Sequence, residues 1–245
     1  LIAIAVDSKS KQQNLLVSIV FAIAVVGCFI ASFVGYLSIV SVNHFHPVSQ
    51  FGKSLSWRIP FLLSAVLFVV YLKLNPDFHK HEANTDSLSL RQIFRRQPAE
   101  LIIMAIIGAS STSIYYLLFT YLVTFMQRYL HLTNDISFLI MNGLLLLSII
   151  LYPSFGLIAD RIKNRVVSAQ KMVLLLGVGI AFFTASIYSM WLGVIGLIIM
   201  VVAFCAVTAY TTSLFAEIFA KQYRMTACSF SFNIGVTIAG FAPLI

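Results

Sequence analysis

Long stretches that lack any charged side chain constrain the fold of this chain more than any other feature. Residues 12–52, 101–127, 136–159, 172–216 and 225–245 contain no Asp, Glu, Lys or Arg. An α-helix needs roughly 20 apolar residues to cross a hydrocarbon core about 30 Å thick, and each stretch is at least that long. With 60% apolar and 10% charged residues, a soluble chain would lack the polar surface to stay dispersed. The sequence therefore predicts a protein with several membrane-spanning helices.

Seven spans follow from the lengths of these stretches. The stretch 172–216 is long enough for two crossings, with a turn near residues 188–193. The apolar residues 59–72 make another span when the flanking cations Arg58 and Lys73 extend to the two interfaces. The predicted spans are residues 15–40, 57–74, 100–127, 135–158, 171–188, 191–216 and 225–245. Because residues 1–6 resemble the end of an eighth span, we interpret the chain as an internal fragment of a longer all-α membrane protein.

Lysine and arginine are distributed unevenly between the loops. Thirteen of the 16 fall in one alternating set of loops, which the positive-inside rule assigns to the cytoplasm. The longest of these loops separates two helical halves. We expect residues 1–74 to end an N-terminal helical half, residues 75–98 to form a cytoplasmic central loop, and residues 99–245 to make most of a C-terminal helical half. Within the loop, a short surface helix ending near Phe94 and a disordered tether are both open alternatives.

The net charge of +8 indicates membrane topology and attraction to anionic lipid. The cations are spread over four loops and form no single surface for nucleic acid, so that class of partner is excluded. No metal site is predicted, because Cys28, Cys205 and Cys228 fall within spans, and His79 with His81 lacks a third ligand. No span offers a nucleophile with a nearby base, so we expect neither catalytic residues nor a cofactor.

Polar side chains form one-sided stripes in two of the spans. In the third span they recur at helical steps of three or four residues: Ser110, Ser113, Tyr116, Thr120, Thr124 and Gln127. The last span repeats the pattern: Thr226, Ser229, Asn233, Thr237 and Gly240. Each stripe either faces a polar cavity or is a packing seam whose hydroxyl groups bond their own helix. The Asn233 amide either clamps neighbouring helices or contacts a polar solute.

Four short motifs carry a resemblance to a known family. They are Trp-Arg-Ile-Pro-Phe at 57–61; the pairs Tyr115-Tyr116 and Thr120-Tyr121; Gly156 with Asp160 and Arg161; and Glu217 with Arg224, residues 232–235 and Pro243. Together they resemble the major facilitator superfamily. Within it, they are most similar to the metabolite:proton symporter branch, which includes proline/betaine, shikimate, citrate and 2-oxoglutarate carriers.

The resemblance implies a partial twelve-helix fold that runs from the end of the fourth helix through most of the eleventh. It also implies a gate in which a carboxylate pairs with cations and a helix N-terminus to close the cytoplasmic side. The gating residues that it implies are Gly156, Asp160, Arg161, Glu217 and Arg224. Two departures from the family pattern, at residues 163–164 and 220–221, imply a loosened gate. Residues 7–14 match the corresponding family loop poorly, so no role is carried over to them.

By this resemblance the protein is expected to be a monomeric, proton-coupled symporter of the bacterial inner membrane that works by a rocker-switch mechanism. Its solute would be a small polar organic molecule such as an osmolyte or an organic acid, bound near the bilayer midplane where the two stripes converge. The candidate contacts are Tyr115, Tyr116, Thr120 and Asn233. No charged residue lies at the middle of a span, which leaves Glu100, Glu217 or residues outside this chain as proton-coupling groups. The alternatives are a drug or sugar exporter or uniporter of the same superfamily, and a receptor or scaffold that transports nothing.

Overall fold

The computed structural model describes residues 12–45, 58–74, 94–95, 97–219 and 224–241. Over these ranges the chain is almost entirely helical and has no β-strand. The helices are α1 (Gln13–Phe45), α2 (Ile59–Leu74), α3 (Pro98–Tyr116), α4 (Leu122–Arg128), α5 (Asn134–Arg161), α6 (Arg165–Thr184), α7 (Met190–Glu217) and α8 (Arg224–Ala239). A π-helical turn, Leu117–Tyr121, joins α3 to α4, and a 3₁₀ turn, Ala185–Ile187, follows α6.

The predicted all-α membrane fold is confirmed, and a helix occupies each of the seven predicted spans. Five apolar helical segments are long enough to cross a membrane: Gln13–Ser38, Pro98–Arg128, Asn134–Arg161, Arg165–Ile187 and Met190–Thr212. The apolar parts of α2 and α8 are shorter. Most of the predicted central loop, Trp57, the pair His79 and His81, and Pro243 lie outside the described residues.

Local sequence signals explain where three of the helices begin. The Thr133 hydroxyl accepts a hydrogen bond from the backbone N–H of Ile136 at the start of α5, at 3.5 Å. The Asn164 side chain accepts one from Val167 at the start of α6, at 3.2 Å. These side chains satisfy backbone donors that a helix start otherwise leaves unpaired. Pro98 occupies the first turn of α3, where its missing N–H breaks no helical hydrogen bond.

The chain divides into two compact units, and the division falls within α1. One unit comprises residues 27–86, in which α2 exposes every described side chain between residues 61 and 71. A helix that is apolar on all sides is suited to contact with lipid or with other membrane helices. The other unit comprises residues 1–26 and 87–245, and it holds all the candidate functional residues that the structure describes.

Helices α3 and α8 pack with their backbones in contact. A Cβ atom added at Gly235 would lie 2.5 Å from the carbonyl oxygen of Ala105 and 2.6 Å from the nitrogen of Ala109. Only glycine permits so close an approach, as is common between membrane helices. One turn earlier on α8, Phe232 lies against Gly108, where an added Cβ would be 3.5 Å from the Phe232 Cα. This contact fixes the depth of the α8 polar residues relative to α3.

Candidate functional site

The Asp160 carboxylate lies against the beginning of helix α1. Asp160 is the penultimate residue of α5. Its Oδ1 accepts hydrogen bonds from the Asn14 backbone N–H at 3.0 Å and from the Asn14 side-chain Nδ2 at 2.7 Å. Its Oδ2 accepts one from the Leu15 backbone N–H at 3.1 Å. Both carboxylate oxygens are therefore used, and the first turn of α1 supplies all three of these donors.

The physical basis of this contact is the polarity of a helix start. The first backbone N–H groups of a helix have no partner within it, and the helix dipole places partial positive charge there. A carboxylate accepts hydrogen bonds from these N–H groups, and its negative charge is attracted to the partial positive charge. Hydrogen bonds to an ionised acceptor are about twice as strong as neutral ones. Asn14 is only 1% exposed and Asp160 is half-buried, so water competes weakly for the Asn14 donors. The contact holds the start of α1 against the end of α5.

The Asn14 side chain also connects Asp160 to a cation. Its Oδ1 accepts a hydrogen bond from Nη1 of Arg165 at 3.2 Å, while its Nδ2 donates to Asp160. One amide thus bridges a negative and a positive group. Asn14, Leu15, Asp160 and Arg165 are called the latch below.

Below the latch, α1 and α5 remain in contact toward the middle of the membrane. A Cβ atom added at Gly156 would lie 2.7 Å from Cβ and Oγ of Ser18, so only glycine fits at this position. The next turn of α5 carries Tyr152, which is 3% exposed and stacks on Phe21 of α1 with ring centroids 5.8 Å apart. The contacts at residues 160, 156 and 152 follow one face of α5.

The remaining predicted gating residues lie outside the latch. Arg161 is exposed, and Arg165 is the cation that contacts Asn14. Arg224 begins α8 and is 8% exposed; its Nε donates to the Phe219 carbonyl oxygen at 3.2 Å. This bond ties the start of α8 to the end of the α7 region. Glu217 ends α7, but its side chain lies outside the described part of the structure.

The tyrosines predicted to contact solute lie at the π-helical turn of the third span. The Tyr115 and Tyr116 rings are 6.2 Å apart and steeply inclined, at 65°, and Tyr115 also contacts Phe119 at 5.0 Å. Thr120 lies within the π turn and is exposed. Ser110 and Thr124 are exposed too, whereas Ser113, Tyr115 and Tyr116 are partly buried. π turns interrupt helices frequently at functional sites.

Asn233 lies at a different depth from the tyrosines. It is exposed, its Nδ2 donates to the Ser229 carbonyl at 2.7 Å, and it follows Phe232, which packs on Gly108. Tyr116 is eight residues beyond Gly108 on the third span, which corresponds to a rise of about 12 Å. The structure therefore groups Tyr115, Tyr116 and Thr120, and places Asn233 at about the depth of Gly108.

Sequence reasoning did not identify Asn14, Arg165, Ser18 or Tyr152. Asn14 and Ser18 sit in a charge-free run, and Tyr152 in an apolar one, where single polar residues form no periodic pattern. Asn14 and Asp160 are also 146 residues apart in sequence. One signal was available: Asn14 lies beside the start of a predicted span, where a polar side chain can meet a charged group.

Comparisons with known proteins agree on one family. The family model described as Major Facilitator Superfamily matches residues 1–243. The Proline/betaine transporter of Salmonella typhimurium is 26% identical over 76% of this chain and 41% of its own length. The Glycine betaine/proline/ectoine/pipecolic acid transporter OusA of Dickeya dadantii is 27% identical over 77% of this chain and 41% of its own length. The chain thus spans less than half of these relatives. No solved structure matches it.

Because the family model matches nearly every residue, the chain belongs to the major facilitator superfamily. It is a multi-pass integral membrane protein of the bacterial inner-membrane type. The family and the names of the relatives are those of transport proteins and not of enzymes.

Proposed function

We propose that the full-length protein is a proton-coupled symporter of a small polar organic solute. The proposal starts from membership of the major facilitator superfamily. The observation that carries this proposal is the contact between Asp160 and the start of α1. By the family resemblance, α1 belongs to an N-terminal helical half (residues 1–74) and α5 to a C-terminal half (residues 99–245), with residues 75–98 as the central loop between them. A contact between the halves at the cytoplasmic end closes that side.

The latch has the properties of a reversible gate. Its hydrogen bonds join two helices that are far apart in sequence, so they break together when the halves rock apart. Asp160 then exchanges helix donors for water, and the two arrangements differ by only a few hydrogen bonds. Gly156 permits the close approach that the closed arrangement needs. In this proposal Asp160 is the central gating group, Arg224 braces the α7–α8 corner, and Arg161 and Glu217 complete the cytoplasmic set.

The solute site is proposed at the polar face of the third span. The exposed hydroxyl groups of Ser110, Thr120 and Thr124 are unfavourable against lipid, so this face is suited to a water-filled cavity. Tyr115 and Tyr116 present two inclined aromatic rings that suit a quaternary or secondary ammonium through cation–π attraction. The Thr120 hydroxyl and the phenols can bond a carboxylate. Asn233 is proposed to line the same cavity from α8, about 12 Å nearer the cytoplasmic end.

This pairing of aromatic and hydroxyl groups favours a zwitterionic osmolyte. The relatives named for transport of proline, betaine and ectoine support the same class of solute. The protein is proposed to act as a monomer in a bacterial inner membrane, with protons driving uptake and anionic lipid contacting its cytoplasmic cations. The proton-accepting group is proposed to be Glu100, Glu217 or a residue beyond this chain, since no span has a charged residue at its middle.

Uptake by the full-length protein in membrane vesicles tests the proposal. The labelled solutes are proline, glycine betaine, citrate, 2-oxoglutarate and shikimate, each with and without an inward proton gradient. We expect accumulation of proline or glycine betaine that collapses when a protonophore is added. Accumulation that is insensitive to the protonophore would remove the proton coupling. Absence of uptake of every solute by correctly inserted protein would favour an exporter or a non-transporting receptor.

A further inference from the structure

We propose that Asn14 is the positioning residue of the latch, and that its amide sets how readily the cytoplasmic end opens. The inference deepens the proposed gate and rests on it. Asn14 lies in the segment that departs from the family pattern, so its role is inferred from the contacts within this chain. Asn14 forms hydrogen bonds with both Asp160 and Arg165, and so joins the two charged groups of the latch.

The amide is chemically matched to its two neighbours. Its Nδ2 donates to the Asp160 carboxylate at 2.7 Å, the shortest of these latch bonds, and its Oδ1 accepts from the Arg165 guanidinium at 3.2 Å. An amide offers a donor and an acceptor on one planar group, which neither Asp nor Ala provides. An Asp at this position would place a second negative charge beside Asp160. An Ala would leave only the backbone donors.

Asn14 also fixes where Asp160 meets α1. Both the backbone and the side chain of Asn14 bond the same carboxylate oxygen, while Leu15 holds the other. The carboxylate is thus oriented with one oxygen toward each of two successive residues of α1. The Asn14 carbonyl oxygen lies 3.0 Å from the position of a Cβ added at Gly156, so the same residue sets the spacing of the helices one turn below. Asn14 therefore links the charged contact to the close packing beneath it.

Ser18 provides a reporter for opening of this contact. It is 1% exposed beside Gly156, and its hydroxyl makes no hydrogen bond to any described residue, so replacement by Cys removes none. The test uses full-length protein in which Ser18 is replaced by Cys and every native cysteine, including Cys28, Cys205 and Cys228, by Ala. Inside-out membrane vesicles then expose the cytoplasmic end to a membrane-impermeant maleimide. The rate of labelling measures the fraction of time that the latch is open.

The expected order of labelling rates follows from the contacts. Asn14→Ala removes one hydrogen bond to a charged group on each side of the amide, so labelling is expected to be roughly ten- to a hundredfold faster than in the reporter protein. Asn14→Asp is expected to label at least as fast, because two carboxylates would then face each other. The double variant Asn14→Asp/Asp160→Asn restores an amide–carboxylate pair and keeps a negative group beside Arg165. It is expected to label several-fold more slowly than Asn14→Asp, because the repulsion between two carboxylates is removed, but faster than the reporter protein, because the amide at position 160 still faces an N–H donor of α1.

Asn134→Ala is the matched control, since it removes an exposed asparagine side chain at the opposite end of α5. Its labelling rate is expected to equal that of the reporter protein. The proposal is overturned if Asn14→Ala labels within twofold of this control, or if the double variant labels no more slowly than Asn14→Asp. Labelling needs no solute, so these results stand whether or not uptake of any tested solute is found. Recovery in the double variant also excludes misfolding as the cause of fast labelling.

Discussion

Replacement of Asp160 by Asn is expected to weaken the closed cytoplasmic end without affecting membrane insertion. Both Asp160 oxygens accept hydrogen bonds, at 3.0 and 2.7 Å on one and 3.1 Å on the other. An amide has one oxygen, so its NH₂ group must face at least one N–H donor of α1. The negative charge at the helix start is removed as well. The change therefore breaks a hydrogen bond and leaves a donor facing a donor.

The magnitude follows from the kinds of interaction that this substitution removes. Hydrogen bonds to charged groups contribute about 1.5–3 kcal/mol and neutral ones about 0.5–1.5 kcal/mol. A charge at a helix terminus adds about 0.3–1 kcal/mol. Because Asp160 is only half-buried, solvent screening keeps the total loss at the lower end, about 2 kcal/mol. A loss of about 2 kcal/mol shifts the equilibrium between closed and open forms by roughly 30-fold.

Two assays on the full-length protein measure this shift. Solute uptake into vesicles is expected to fall strongly, because a gate that stays open on the cytoplasmic side cannot complete the transport cycle. Maleimide labelling of the Ser18→Cys reporter is expected to be roughly 30-fold faster. Asp135→Asn serves as the control, since Asp135 is exposed in the first turn at the opposite end of the same helix. Normal uptake together with a labelling rate equal to that of the control would refute the gating role of Asp160.

Three further variants test the packing and the solute face. Gly156→Ala places a Cβ 2.7 Å from Ser18, and overpacking of this kind costs about 1–3 kcal/mol. It is therefore expected to speed maleimide labelling of the Ser18→Cys reporter several-fold. An unchanged rate would show that α1 and α5 adapt to the added methyl group. Tyr116→Ala is expected to raise the apparent KM for solute several-fold. Tyr129→Ala, at an exposed aromatic residue beyond α4, is the control and is expected to leave the KM unchanged. Equal kinetics for the two variants would assign Tyr116 to packing. Gly235→Ala is expected to lower the free energy of unfolding in detergent by about 1–3 kcal/mol, because its Cβ would meet the α3 backbone. Gly177→Ala, whose added Cβ would meet no described residue within 4 Å beyond its own helix backbone, is expected to raise it by up to about 1 kcal/mol. The same sign for both glycines would contradict the close approach of α3 and α8.

The spans were predictable because the length of an apolar run is compared with a fixed membrane thickness. Two of the helix starts depend on a nearby polar residue, Thr133 or Asn164, and a third depends on Pro98; these effects are local in sequence. The π turn at Leu117–Tyr121 had no such signal. It inserts a residue into a regular helical pattern, and the pattern of Ser, Thr and Tyr is compatible with a continuous α-helix. Its presence changes the angle between the residues before and after it.

The latch was predictable only in part, for a different reason. The family resemblance assigned a gating role to Asp160, but the choice between Arg161 and Arg165 depends on where α5 ends and how residues 162–164 turn. Asn14 could not be selected, since its role exists only when two helices distant in sequence come together. The depth of Asn233 depends likewise on the contact between Gly108 and Phe232. These features are set by packing between helices, which the hydropathy of one helix does not report.

The amide between Asp160 and Arg165 also explains how a charged contact can remain reversible. A direct buried ion pair requires both charges to lose water, and the Coulomb attraction repays this cost only when the geometry is good. In the latch, Asp160 is bonded by N–H groups of α1, and Arg165 meets the neutral oxygen of Asn14. The Asp160 carboxylate can therefore return to water without being pulled from a cation when the helices separate. If the closed form of the gate is favoured by a few kcal/mol, a solute that binds the open form more tightly can reverse this preference.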